Sequence, residues 1–166
     1  MIKSIVNASP LIALSMINHF DLLWKIFDEV FIAQAVFDEI NDASGKNKFG
    51  QKELIEAIKN HNISLYTVND SALVNKLTGK LHKGELETII GAKELNAEFA
   101  IIDEITARNF SAAFSVDTIG TVGILRIAKR RAYINELKPL FLQLHKNKFR
   151  ISDKILTEIL KKENEL

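Results

Sequence analysis

Short apolar runs that end in small polar clusters alternate along this chain with stretches whose apolar positions recur every three or four residues. The first run covers residues 2–6 and stops at Asn7, Ala8 and Ser9 before a second begins at Pro10. That pattern predicts a buried strand turning straight into a helix. Ser9 is the expected N-cap and Pro10 the first helical residue, because proline's fixed φ suits that position and its missing N–H costs nothing there. The helix over residues 10–18 then carries Leu11, Leu14 and Ile17 on one face. Asp21 is placed to cap a second helix, with Leu22, Leu23, Ile26 and Phe27 apolar.

Residues 30–32 read as a short strand and residues 33–40 as a helix with Glu39 near its end. Residues 41–50, with two glycines and several polar positions, read as a loop or mobile arm. A helix over 51–60 and a strand over 63–68 follow, and Asn69, Asp70 and Ser71 form a capping cluster for a weaker helix that ends at residues 81–84. Residues 85–96 form a helix and 99–102 a strand closed by Asp103 and Glu104. Residues 105–114 return to helix, 116–119 to a last strand, and Gly120 and Thr121 open a helix over 122–131. The tail adds a helix over 136–145 and, after Ser152, an amphipathic one with Ile155, Leu156, Ile159 and Leu160 in its stripe. Five strands alternating with helices imply crossover connections and a mostly parallel sheet covered on both faces, an α/β fold.

Composition narrows the class. A chain of 166 residues, 47% hydrophobic and 26% charged, makes one ordinary globular domain, with no linker and no internal repeat. It has no cysteine, which excludes disulfides and thiolate metal sites. No apolar stretch reaches the ~20 residues that span a bilayer, and the N-terminus lacks a signal-peptide pattern, so a cytoplasmic protein is expected. Net charge is only +1, too little for bulk attraction to a polyanion. The distribution says more: residues 126–150 carry eight Lys and Arg against the single acid Glu136, leaving the remainder net acidic.

The acids fall where chemistry is expected. Asn7, Asp103 and Glu104 each follow a strand, and in a parallel sheet all such ends share the edge where ligands collect. Glu39 lies on the helix after the second strand, and Glu85 and Glu87 start the helix after Gly84. A ring of carboxylates repels itself unless a cation occupies it, and hard oxygen ligands select Mg²⁺ or Mn²⁺. Positions 85 and 87 lie ~200° apart on a helix, so mid-helix they cannot both face one site. Arg108 stands four residues after Glu104, a spacing that suits an ion pair. Asp117 is expected at an exposed strand entrance.

Other classes fail on specific grounds. Neither G-x-G-x-x-G nor G-x-x-x-x-G-K-[ST] is present, so the phosphate cradles of dinucleotide and P-loop proteins are missing. Asn7 cannot form an acyl phosphate. His19, His61, His82 and His145 lack zinc-ligand spacing, and there is no G-x-S-x-G elbow.

Several segments, taken together and in order, resemble the PIN-domain family over nearly the whole chain. They are residues 6–14 (VNASPLIAL), 36–40 (VFDEI), 83–89 (KGELETI), 101–108 (IIDEITAR) and 120–125 (GTVGIL), with residues 149–152 (FRIS) matching a prokaryotic PIN-like subgroup. The resemblance implies a three-layer α/β/α sandwich with a five-stranded parallel sheet and a single domain over 1–166, its helices from about 135 packed on or extending it. It implies a Mg²⁺- or Mn²⁺-dependent ribonuclease acting on RNA, often the toxin of a toxin–antitoxin pair with an antitoxin protein partner, and often a homodimer. It places the metal ligands on Asn7, Glu39, Glu87 with Glu85 beside it, and Glu104 or Asp103, with Glu39, Glu87 and Glu104 as the catalytic acids. Ser9, Arg108 and Thr121 and the basic residues Lys129, Arg130 and Arg131 are the candidate nucleic-acid contacts. Asn7 stands where the family has Asp, which removes one negative charge. A PIN-like module that binds nucleic acid or protein without cleaving is the alternative reading.

Overall fold

Asn7, rather than Ser9, is where the first strand hands the chain to a helix. In the computed structural model, which describes residues 1–42, 44 and 49–166, strand β1 spans Lys3–Val6 and helix α1 spans Ala8–Met16. Asn7 has extended backbone, φ −82° and ψ 170°, and its N–H donates to the Ile101 carbonyl at 3.0 Å. This sheet bond holds Asn7 in the strand's geometry, so the helix starts immediately after it. Pro10 therefore sits third in the helix instead of first, still among the N–H groups that have no intrahelical partner. Ser9 is released from capping.

The remaining elements follow in the expected order. They are α2 (Leu22–Ile26), β2 (Glu29–Ala33), α3 (Gln34–Ile40), α4 (Gln51–Lys59), β3 (Ser64–Tyr66), α5 (Ser71–Leu77), α6 (Lys83–Leu95), β4 (Phe99–Ile101), α7 (Ile105–Ala113), β5 (Thr118–Ile119), α8 (Thr121–Arg130), α9 (Lys138–Lys146) and α10 (Asp153–Lys162). Of the loop or arm expected over 41–50, residues 43 and 45–48 lie outside the described residues. The five strands form one all-parallel sheet in the order β3-β2-β1-β4-β5. Chain order runs outward from β1 on one side and resumes on the other with β4, which makes the β1/β4 junction the topological switch point. Helices cover the sheet, and Ile5, Leu11, Leu14, Ile32, Leu86, Ile89 and Ile101 are fully buried between the layers.

Some local expectations give way to longer-range contacts. Asp21 accepts no capping bond and pairs instead with Lys25 at 2.6 Å, one turn along. Asp70 does cap α5, accepting from the Leu73 N–H at 3.0 Å. The helix expected from residue 85 begins at Lys83, which carries Gly84 and Glu85 inside its first turn. Among the described residues no helix is long and apolar enough to cross a membrane.

The C-terminal tail fastens α8 to α9. The N-cap residue of α9 is Leu137, which has no oxygen to offer; Glu165 supplies one, accepting from the Leu137 N–H at 2.7 Å and the Lys138 N–H at 2.8 Å, and also pairing with Lys129. Glu163 accepts from Arg126 and Arg130, both at 3.0 Å. Burial pushes both carboxyls up, but these donors outweigh it and hold them below the ordinary glutamate value. Their contribution to stability is therefore full above that value and is lost as pH falls through the depressed folded-state values. Glu165→Ala is expected to cost about 1–3 kcal/mol in urea unfolding at neutral pH, because two N–H groups lose their acceptor and the Lys129 ammonium keeps only the Glu163 carbonyl. The deficit should shrink in acid; a variant as stable as the parent at pH 7 would show that the tail fastens nothing.

Candidate functional site

The N-terminus of α1 lies at the carboxyl edge of the sheet and touches two groups of oxygens, one on each side. Asn7 is only 5% exposed, and its amide is not spent on capping α1. It faces Gly84 in the first turn of α6: a Cβ on Gly84 would stand 3.7 Å from Asn7 Oδ1 and 3.2 Å from Glu39 Oε2. A Cβ there would also meet the Val36 methyl at 3.3 Å, so the glycine lets the first turn of α6 pack closely against both oxygens and that methyl. Glu39 is an exposed residue, yet partial burial of its carboxyl raises its pKa, with His82 opposing and Glu85 reinforcing the shift. Such an oxygen pair gains from a cation.

On the other side of α1, Ser9 Oγ lies 3.5 Å from Asp103 Oδ2. Asp103 leaves β4, the strand beside β1, and is clasped by Thr121 at the start of α8: the Thr121 N–H donates to Oδ1 and its hydroxyl to Oδ2, both at 2.7 Å. Gly120 permits the approach, since a Cβ there would sit 2.9 Å from Asp103 Oδ1. Burial pushes the Asp103 carboxyl up, against the pull of Thr121, Arg108 and Ser9. The clasp leaves the carboxylate fixed in direction, with the helix end behind it. Glu104, the neighbouring candidate, is exposed and faces the opposite side of the edge.

The two acids of α6 have separate partners. Glu85 accepts from the His82 N–H at 3.1 Å and closes a capping box on its own helix. Glu87 is buried and reaches across to α3, where Oε2 accepts from the Ala35 N–H at 2.8 Å; Oε1 lies 3.9 Å from Lys83 Nζ. Glu87 thereby satisfies a first-turn donor of the helix that carries Glu39. Glu87→Ala is expected to lower stability by about 1–3 kcal/mol, whereas Glu87→Gln keeps an oxygen for Ala35 and should stay within about 0.5 kcal/mol. Equal stability of both variants by thermal unfolding would show that the bond carries nothing.

Arg108 does not pair with Glu104 as its spacing suggests. Its Nε donates to Thr118 Oγ1 at 3.3 Å, and its guanidinium lies near Gly120 and Asp103. Lys129, Arg130 and Arg131 stand at the far end of α8, a helix about 15 Å long whose other end is Thr121. Lys129 and Arg130 are engaged by the tail acids, and Arg131 donates to the Ile26 carbonyl at 3.4 Å. The structure does not bring these three to the edge where the oxygens gather. Asp117 is exposed at the entrance of β5, at the opposite edge. The sequence pattern groups Asn7 with Glu39 but gives Gly84 no part, because its packing against both depends on where α6 lies.

Among the described residues no three acidic or histidine side chains lie close enough to hold one ion between them. The donors still suit a hard cation. All are oxygens, and Mg²⁺ commonly keeps several waters while taking one or two carboxylates. Asn7 Oδ1 and Glu39 Oε2 supply a cradle of that kind, with Asp103 across Ser9.

A family model described as a PIN domain matches residues 3–165. No curated protein matches the chain significantly.

Proposed function

Because the chain belongs to the PIN-domain family, whose fold is nuclease-like, we propose that it is a divalent-metal-dependent endoribonuclease whose site is the carboxyl edge at the β1/β4 junction. The observation that carries this reading is the pair of oxygens, Asn7 Oδ1 and Glu39 Oε2, that both pack against Gly84 in the first turn of α6. Asn7 and Glu39, with Asp103 across Ser9, are the residues that would hold Mg²⁺ or Mn²⁺, while Glu85 and Glu87 border them through their own helix contacts and Glu104 stays outside the set. An ion there supplies Lewis acidity, activating water and offsetting charge on a phosphate. The chain's own part is to fix direction and exclude alternatives: Thr121 holds the Asp103 carboxylate, Glu87 holds the first turn of α3 and so the helix bearing Glu39, and Ser9 places a hydroxyl between the two halves. Arg108, close to Asp103, offers a guanidinium to a phosphate oxygen.

The assay is cleavage of a single-stranded RNA with Mn²⁺ or Mg²⁺ against the same reaction in EDTA. Metal-dependent cuts by the pure chain support the reading, and intact RNA at stoichiometric enzyme overturns it. A toxin role adds that expression of the chain arrests growth while a Glu39→Gln chain does not, and that a small antitoxin protein co-purifies with it.

Asn7 favours a second reading, a fold that binds nucleic acid or protein without cutting, because an amide holds a cation less well than a carboxylate. Calorimetric titration with Mn²⁺ separates the two. Stoichiometric binding lost in Glu39→Gln counts for the nuclease, and no binding counts for the silent module.

A further inference from the structure

Two grooves flank the site edge, one on each side of the consecutive residues Asp103 and Glu104. The first, about 570 Å³, is lined by Lys80, His82, Lys83 and Glu104. The second, about 430 Å³, begins at Asp103 and Arg108 and runs past Arg126 to Phe149, Arg150 and Ile155 on the loop and helix that follow α9. Its lining combines guanidinium groups with apolar faces: Ile105 is 72% and Ile155 48% exposed. Arg126 is tied to Glu163, whereas Arg150 is exposed and no acid pairs with it among the described residues. Of the basic run over 126–150, its first and last members, Arg126 and Arg150, line this groove.

We propose that this second groove seats the single-stranded segment of RNA adjoining the scissile phosphate, with Arg108 and Arg150 on phosphates and Phe149 against a base. The proposal rests on the ribonuclease reading. Guanidinium groups alternating with apolar surface match an unpaired strand, which presents phosphates along its backbone and open base faces between them; a duplex hides those faces. A groove opening directly on Asp103 delivers the next phosphate to the site. Phe149 and Arg150 are positioning residues in this scheme, because they touch the strand beside the bond and not the bond itself.

The test is fluorescence anisotropy of a labelled single-stranded RNA of about 12 nucleotides, enough to fill one such site and its flanks. All proteins carry Glu39→Gln so that the probe survives. Arg150→Glu is expected to weaken binding by about 10-fold or more. Arg150→Ala should reduce the salt slope by about 0.7, the value for one phosphate contact on a single strand. Phe149→Leu, which keeps apolar bulk and removes the ring face, should weaken binding by about 5- to 30-fold. Lys59→Ala, on the exposed face of α4, should leave it unchanged. Affinity that Arg150→Glu does not alter, equal competition by duplex RNA, or no binding by the folded chain overturns the groove. If wild-type protein cuts RNA and the Arg150 and Phe149 variants bind and cut like it, the groove fails and the nuclease stands. If those variants lose binding while wild-type protein with Mn²⁺ never cuts, the groove stands and the nuclease fails.

Discussion

Glu39→Gln is expected to lower the metal-dependent cleavage rate by at least about 100-fold, while the protein folds as before. Among the described residues Glu39 is the one acid that packs against Gly84 beside Asn7, so the substitution leaves two neutral amide oxygens where a cation needs charge. Removing one group that stabilises developing charge in a site of this kind typically costs ~3–4 kcal/mol of transition-state stabilisation. The fold should tolerate the change, because Glu39 is exposed as a residue and its net shift is upward, burial outweighing the opposing pull of His82. A neutral isostere removes that burial penalty, so metal-free thermal stability should hold or rise slightly. The Mn²⁺-dependent rise in melting temperature, which reports binding to the native state, should disappear. Initial rates and melting curves with and without Mn²⁺ read both effects. A rate within about threefold of wild type would remove Glu39 from the site.

The pieces of this site that could be read in sequence are those set by local pattern. The alternation of apolar runs with helical stretches carried the parallel sheet, and the polar residues at the ends of the runs marked Asn7 and the pair Asp103 and Glu104 as edge residues. What escaped was decided by contacts far apart in the chain. Capping preferences point to Ser9, but the Asn7 N–H is claimed by Ile101, and the helix shifts to begin at Ala8. The spacing of Glu104 and Arg108 suits an ion pair, yet Arg108 turns to Thr118. The basic cluster at 129–131 has the composition of a nucleic-acid surface, and the acids that engage Lys129 and Arg130 lie at 163 and 165, beyond any local window. Gly84 is the most informative case: a glycine in the first turn of a helix carries no chemistry of its own, and its meaning depends on α6 lying where Glu39 and Asn7 come within reach of it.

Asn7→Asp is expected to change the protein in opposite directions with and without metal. Asn7 is almost fully buried and its Oδ1 packs against Gly84 as Glu39 Oε2 does, so a carboxylate there places a buried charge in the neighbourhood of a like one. Without a cation, burial and repulsion raise the pKa of the new acid, and metal-free stability should fall by about 1–3 kcal/mol. The sign of the pH dependence follows. An acid whose folded-state pKa is raised costs nothing below its unfolded value, and its penalty grows as pH rises through the folded one, so the metal-free variant should match the parent near pH 4 and fall behind it toward neutrality. With Mn²⁺ the order reverses, because a divalent ion facing two carboxylates gains a full charge interaction where it had a dipole. At an effective dielectric constant of about 20, one unit charge a few ångströms away is worth ~4 kcal/mol per ion charge before desolvation is subtracted. Affinity for Mn²⁺ should therefore tighten by about 10- to 100-fold, and any cleavage limited by ion occupancy should rise with it. Calorimetry for affinity and denaturant unfolding across pH for stability make the check. A variant with unchanged Mn²⁺ affinity and unchanged metal-free stability would mean that Asn7 Oδ1 does not face the place where the ion binds. A variant that gains cleavage at low metal concentration and loses that advantage at saturation would mean that the amide, by weakening the ion's hold, sets the parent's activity.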